Sequence, residues 1–177
     1  MATNLFALKH MSTSCSLDVL KIIYFSLVHS HLSYGISIYG ATTKKNLDRL
    51  LLQQKRAVRI MMNLKTTDSV KHLFSDLGIL TVYGLFIFET ILYVKKFLDP
   101  LLIDNQHSYN TRLHRKVDQH NLEFYKKKTV FMGTKFLYHL PKKYILEKNF
   151  TKFKKELKHY LLGHPVYSFE EFFSTSK

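Results

Sequence analysis

Residues 17–62 carry the pattern that most narrows what this chain can fold into. Two apolar-periodic segments, LDVLKIIYFSLVHSHLSYGISIYG and NLDRLLLQQKRAVRIMM, are joined by the short polar turn Ala41-Thr42-Thr43. In the second, Leu47, Leu50, Leu51, Gln54, Val58 and Met61 fall at i, i+3, i+4, i+7, i+11 and i+14. That spacing makes one stripe of a 3.6-residue helix. Lys45, Arg49, Arg56 and Arg59 lie roughly 120–200° from the stripe, at about 100° per residue. Such a helix has to bury one face and leave a cationic face outward.

The remaining chain reads as helical too. Residues 2–11 suit a short helix, with Leu5, Phe6 and Leu8 apolar. Ser16 is placed to cap the next helix, with Asp18 in its first turn, and the helix should run through Leu17, Leu20, Tyr24, Leu27 and Val28. Gly35 and Gly40 weaken its far end, and Ile36-Ser37-Ile38 alternates as a short extended piece would. Thr43 is placed to cap the two-faced helix, which should run to about Asn63. Asp68-Ser69 should open a short helix through Val70, Leu73 and Phe74, stopped by Gly78. Thr81 should cap a helix over 82–98, closed by Asp99-Pro100. Its main stripe is Tyr83, Phe86, Ile87, Thr90, Ile91 and Val94, but it is apolar on most sides and belongs at the centre.

From 101 to 128 polar and basic residues replace the periodicity, which predicts an extended, partly exposed connection. Helical pattern resumes near Thr129 with Val130, Phe131, Phe136 and Leu137, and stops before Leu140-Pro141. Asn149 caps a last amphipathic helix lined by Phe150, Phe153, Leu157, Tyr160 and Leu161, with Gly163 and Pro165 at its end. The tail VYSFEEFF is apolar with two carboxylates. Strand signals are few. The reading is all-α: an irregular bundle of about six to eight helices with one extended basic connection. It divides into a bundle over 1–100, the connection over 101–128 and a helical segment over 129–177 that packs on the bundle.

Charge bounds the function. The chain of 177 residues holds 27 Lys plus Arg against 13 Asp plus Glu, a net +14, and the excess is densest between 112 and 158. A field of that sign favours polyanions, either nucleic acid or an anionic membrane surface. Eleven Tyr and 14 Phe supply enough apolar surface for a real core. The single Cys15 excludes an intramolecular disulfide and a cysteine-based zinc module. The N-terminus lacks the cationic start and apolar run of a signal peptide. These features predict an intracellular protein, nuclear or cytoplasmic and not secreted. The most apolar run, 79–94, is shorter than the ~20 residues a membrane span needs.

Enzyme chemistry finds little to stand on. His29 and His31 are two apart, His114 and His120 six apart, His159 and His164 five apart, so none has the i, i+4 spacing of paired helical ligands. There is no glycine-rich phosphate loop, no GxSxG elbow and no adjacent aspartate pair for two magnesium ions. The basic groups carry more. Arg49, Arg56 and Arg59 share a helix. Arg112, Arg115 and Lys116, then Lys126, Lys127 and Lys128, flank Tyr109, Phe124 and Tyr125. Lys152, Lys155, Lys158 and His159 follow the outer side of the last amphipathic helix. Cations beside aromatics suit phosphate contact with base stacking.

A colinear set of these residues resembles a known family. Leu20-x-x-x-Tyr24, then His29-Ser30-His31-Leu32-Ser33-Tyr34-Gly35, then Leu47-x-x-Leu50-x-x-x-Gln54-Lys55-Arg56-Ala57-Val58-Arg59 is similar to the region just after the polymerase palm in non-LTR retrotransposon reverse transcriptases, nearest to jockey-like and RTE-like elements. Leu77-Gly78-Ile79-Leu80, His107-Ser108-Tyr109-Asn110-Thr111-Arg112, Gly133 ahead of Tyr138-His139-Leu140-Pro141, the helix from Phe150, and Val166-Tyr167-Ser168 continue the order. Tyr39 stands where the family often has Trp, and His139 where it has Asn. The magnesium-binding Tyr-x-Asp-Asp of the palm and the endonuclease domain have no counterpart in the sequence.

The resemblance implies the thumb and post-thumb part of an RNA-directed DNA polymerase from a transposable element. On this reading the chain is not an enzyme by itself and holds no cofactor, the Mg2+ belonging to the full polymerase. Its partners are RNA or an RNA–DNA primer–template duplex, and the missing palm and fingers. Two other readings stay open: a stand-alone basic helical module that binds a protein or an anionic membrane surface, and an inactive orphan fragment.

Overall fold

The computed structural model describes residues 2–98 and 121–175. Every regular element among them is helical. α1 is Ala2–Met11 and α2 is Leu17–Ile23. A π-helical turn, Tyr24–His29, leads into α3, Ser30–Ser33, and α4 is the single turn Ile36–Tyr39. α5, Lys44–Met61, is the two-faced helix. α6 is Lys71–Asp76 and α7 is Val82–Phe97. α8 is Glu123–Lys126, α9 Thr129–His139 and α10 Lys142–Ile145. α11 is Phe150–Gly163 and α12 is Phe169–Thr175.

α7 is the axle. Val82 through Phe88, Thr90, Ile91, Leu92 and Val94 are all buried. α9, α11, α5 and α4 pack around it. The closest approach is to α9 at Gly133. A Cβ there would sit 2.5 Å from the Thr90 carbonyl oxygen and 2.7 Å from Val94 Cγ2, so only glycine lets the two backbones meet. One continuous core takes in Leu5 and Leu8 from α1 and Val166 and Phe172 from the C-terminal end. α12 closes it with aromatic rings. Phe169 lies 4.9 Å from Tyr83 and 5.5 Å from Phe86, and Phe136 stands among Phe169, Phe172 and Phe173 at 5.5–5.6 Å.

Helix ends follow local chemistry. Thr81 Oγ1 accepts from Gly84 N at 3.0 Å and Asn149 Oδ1 from Lys152 N at 3.2 Å. Ser16 and Thr43 occupy N-cap positions with extended backbone but make no side-chain cap bond. α6 ends with Gly78 at φ +68°, Ile79 N reaching Phe74 O at 2.8 Å and Gly78 N reaching Ser75 O at 3.0 Å. α5 ends the same way on Asn63 at φ +51°, with Leu64 N on Arg59 O at 2.9 Å.

Four expectations are corrected. Residues 36–38 are not extended: Gly35 at φ +65° reverses the chain and Ile36–Tyr39 winds as a helical turn, with Gly40 N on Ile36 O at 2.7 Å. The helix expected to run through Leu27 and Val28 is not α-helical there. The π-turn widens it, as the Ser30 N–H bonds back five residues to Phe25 O. Tyr24, Val28, Leu32 and Ile36 are therefore buried and Leu27 faces out. The short helix expected to open at Asp68-Ser69 starts at Lys71, because Asp68 turns its carboxylate to Lys65 N at 2.9 Å instead. The extended connection ends sooner than expected, since Glu123–Lys126 is a helical turn; residues 99–120 lie outside the described residues.

Candidate nucleic-acid interface

α5 presents its expected cations from a fixed base. Leu47, Leu51, Gln54, Ala57, Val58 and Met61 are buried, and Leu50 is half-buried. Gln54 is the one polar member of that face, and it is fully satisfied. Its Nε2 donates to Tyr24 Oη at 2.9 Å and to the Leu80 carbonyl at 2.7 Å, while its Oε1 accepts from Val82 N at 2.9 Å. One side chain thus bonds the π-turn, the last residue before the α7 cap and the first residue of α7. Burial pushes the Tyr24 phenol well above its ordinary range, against the smaller opposite effect of the Gln54 bond. Thr81 adds a second tie, donating to Val166 O at 2.7 Å.

On the outer side Lys45, Arg49 and Arg56 are exposed. Arg49 and Arg56 are two turns apart, about 10.5 Å along the axis. Lys44, Lys45, Asp48, Arg49 and Leu52 line a shallow groove of about 500 Å³ on this face. Its carboxylate is already committed, as Asp48 Oδ1 accepts from Tyr83 Oη at 2.8 Å. Arg59 is placed differently. Its Nε and one terminal nitrogen donate to the Asp68 carbonyl at 3.0 and 2.9 Å, so the half-buried guanidinium holds the chain between α5 and α6.

Lys55 also points away from the open face. Its ammonium lies 3.7 Å over the Tyr167 ring, and Lys71 pairs with Glu171 beside it. Burial, then the neighbouring Arg59 and Lys71 charges, lower the Lys55 pKa, with Asp48 and Glu171 opposing. Burial pushes the Tyr167 phenol up to about 12. The tail is locked by Ser168 and Glu171: Ser168 Oγ accepts from Glu171 N at 3.1 Å and Glu171 Oε2 from Tyr167 N at 2.6 Å. That is close to a capping box, and the Ser-x-x-Glu spacing is its signal in the sequence.

The second cationic group sits on α8. Lys126 pairs with Glu123 at 2.8 Å and Lys128 lies 4.6 Å over the Tyr125 ring, which packs edge-on to Phe131 at 6.0 Å. Lys127 and Lys128 are exposed. They border a groove of about 790 Å³ between α4, Tyr93 and the start of α9. Sequence reading missed this groove, because its walls come from three separate segments. Tyr109, Arg112, Arg115 and Lys116 lie outside the described residues. Lys152, Lys155, Lys158 and His159 are exposed along α11, where Lys152 pairs with Glu147 at 2.7 Å.

Among the described residues no three His, Cys, Asp or Glu side chains gather as metal ligands, and no helix is long and apolar enough to cross a membrane. No protein-family model, curated protein or solved structure matches the chain.

Proposed function

We propose that this chain grips the sugar-phosphate backbone of RNA or an RNA–DNA duplex without reading sequence, as the thumb and post-thumb part of a non-LTR retrotransposon reverse transcriptase. The observation that carries the reading is the outer face of α5. Lys45, Arg49 and Arg56 stand on a helix whose other face is pinned through Gln54, so the backbone that carries the cations is already in place before contact. At about 10.5 Å along the helix axis, Arg49 and Arg56 are far enough apart to take separate phosphates. The colinear family resemblance supplies the polymerase context. On this reading magnesium and nucleotidyl transfer belong to the palm, and this chain supplies neither.

Binding to an RNA–DNA duplex, followed by fluorescence anisotropy across salt, tests the reading. If six to ten phosphates are neutralised, affinity falls about 10³–10⁵-fold between 50 and 200 mM salt. Affinity that ignores salt, or nucleotide incorporation by the chain acting unaided, sinks it.

A second reading has its own observation. Phe6 on α1 and Ile22 on α2 are each about 70% exposed, and Val19 on α2 and Phe25 in the π-turn are exposed as well. Exposed apolar side chains of this kind suit a protein partner, either the palm of a longer polymerase or a partner of a stand-alone basic module. Binding to protein without any affinity for nucleic acid favours the stand-alone module.

A further inference from the structure

The groove beside α8 has chemistry that backbone gripping leaves unused. Phe124 is 81% exposed and Ile38 82%, although each sits on a helical turn that could have buried it. Tyr39 and Tyr93 complete the aromatic lining, and Tyr93 packs 5.1 Å from Phe97. Among the described residues that line the groove, Lys127 and Lys128 carry the charge. The walls are held. The Tyr39 hydroxyl donates to the Leu32 carbonyl, and Thr129 Oγ1 donates to Ser37 O at 2.5 Å, tying α9 to α4. Tyr125 is engaged with Phe131 and Lys128, which leaves Phe124 as the ring turned to the opening.

We infer that this groove is a stacking site for an unpaired base of single-stranded RNA or DNA, with Lys127 and Lys128 on the flanking phosphates. The inference rests on the nucleic-acid reading above and adds the strand type. Apolar and aromatic walls with two exposed cations at the rim suit a ligand that is flat, apolar on its faces and anionic, which describes a nucleotide in a strand. Bases inside a duplex are stacked on each other and cannot offer a face. The volume is ample for one base. The site is also joined to the α5 face by the chain itself. Ala41 and Thr42 line the first groove and Lys44 and Lys45 the second, within a few residues of one another. A strand leaving a duplex held on α5 would reach Phe124 across the 41–43 turn.

The experiment compares three labelled ligands by anisotropy: a 12-nucleotide single-stranded RNA, an abasic phosphodiester of equal length and charge, and an RNA–DNA duplex. Wild-type chain should hold the RNA strand at least about tenfold tighter than the abasic strand. Phe124→Ala, at an exposed position, should bring the RNA strand down to the abasic level and leave duplex affinity unchanged. The chain has no Trp, so Phe124→Trp installs a sole indole whose emission a stacked base should quench. Equal binding of RNA and abasic strands by wild type overturns the inference. So do unchanged RNA binding by Phe124→Ala, an unquenched Phe124→Trp, or an acidic peptide bound as tightly as the RNA. Duplex binding that persists in those outcomes leaves backbone gripping standing; loss of all three ligands by wild type sinks both.

Discussion

α5 and α7 are the two long helices that meet at Gln54, and they divide the labour of the molecule. α7 is buried along almost every side and makes its specific contacts to other parts of the same chain. α5 spends one face on that core and keeps Lys45, Arg49 and Arg56 in solvent. Arginine content alone would not have separated them. Arg59 shares the helix with Arg56 three residues away, yet its fork is used on the Asp68 carbonyl. The lesson is that a cation is available to a phosphate only where the fold has not already given it an acceptor, and that a polar residue on an apolar stripe is worth tracing to its partners.

The division can be broken most forcefully at the joint. Gln54→Leu leaves Tyr24 Oη, the Leu80 carbonyl and the Val82 N–H without their partner in the core. It should cost about 3–5 kcal/mol in urea unfolding and weaken nucleic-acid binding only through lost folding. Gly133→Val should follow at about 2–3 kcal/mol, since its Cβ would overlap the Thr90 carbonyl and Val94 on α7.

Neighbouring arginines sharpen the contrast within α5. Arg59→Ala should cost about 1 kcal/mol of stability and raise amide exchange between α5 and α6, while Arg56→Ala should stay within about 0.5 kcal/mol. Equal stability losses from the two would erase the distinction drawn between them.

The smallest effects concern carboxylates. Burial raises the pKa of half-buried Glu89 on α7, partly offset by Lys154. Its folded pKa then exceeds the unfolded value, so ionisation costs stability above the folded pKa, and that cost vanishes below the unfolded range. Glu89→Gln should therefore raise Tm slightly at pH 7, by less than about 1 kcal/mol in stability, and not at pH 3. Glu171 has the opposite sign. Burial alone would raise it, but Lys71, the Tyr167 N–H and the Lys55 charge hold it below the usual carboxylate range. Its contribution is in place above the unfolded range and is lost as pH falls through the lower folded value. Thermal melts of Glu171→Gln against wild type should differ at pH 7 and converge in strong acid.

Much of the scaffold was legible in the sequence because it rests on local rules. The α5 stripe, the all-round apolarity of α7, the Thr81 and Asn149 caps and the Gly78 stop all sit within one or two turns of their cause. What was not legible depends on distance in sequence. Helical spacing places Gln54 on the apolar stripe but says nothing of its partners, which lie 26–30 residues away. The π-turn at Tyr24–His29 changes which leucine is buried without any glycine or proline to announce it. One-turn helices such as Ile36–Tyr39 are too short to show a period. Of the candidate site, the exposure of Arg49 and Arg56 could be read from helical angle alone, whereas the commitment of Arg59 to Asp68 and the Phe124 groove required the folded chain.

The central claim is that the outer face of α5 contacts phosphate. Its most direct test is the slope of log affinity against log salt for an RNA–DNA duplex, measured on wild type, on Arg49→Ala/Arg56→Ala, and on Lys9→Ala/Lys148→Ala as a control of equal charge from exposed positions elsewhere. The α5 pair should flatten the slope by about two, one unit for each lost phosphate contact, with the melting temperature unchanged, and the control should leave it alone. Equal flattening by both pairs, or none by the α5 pair, would contradict the account.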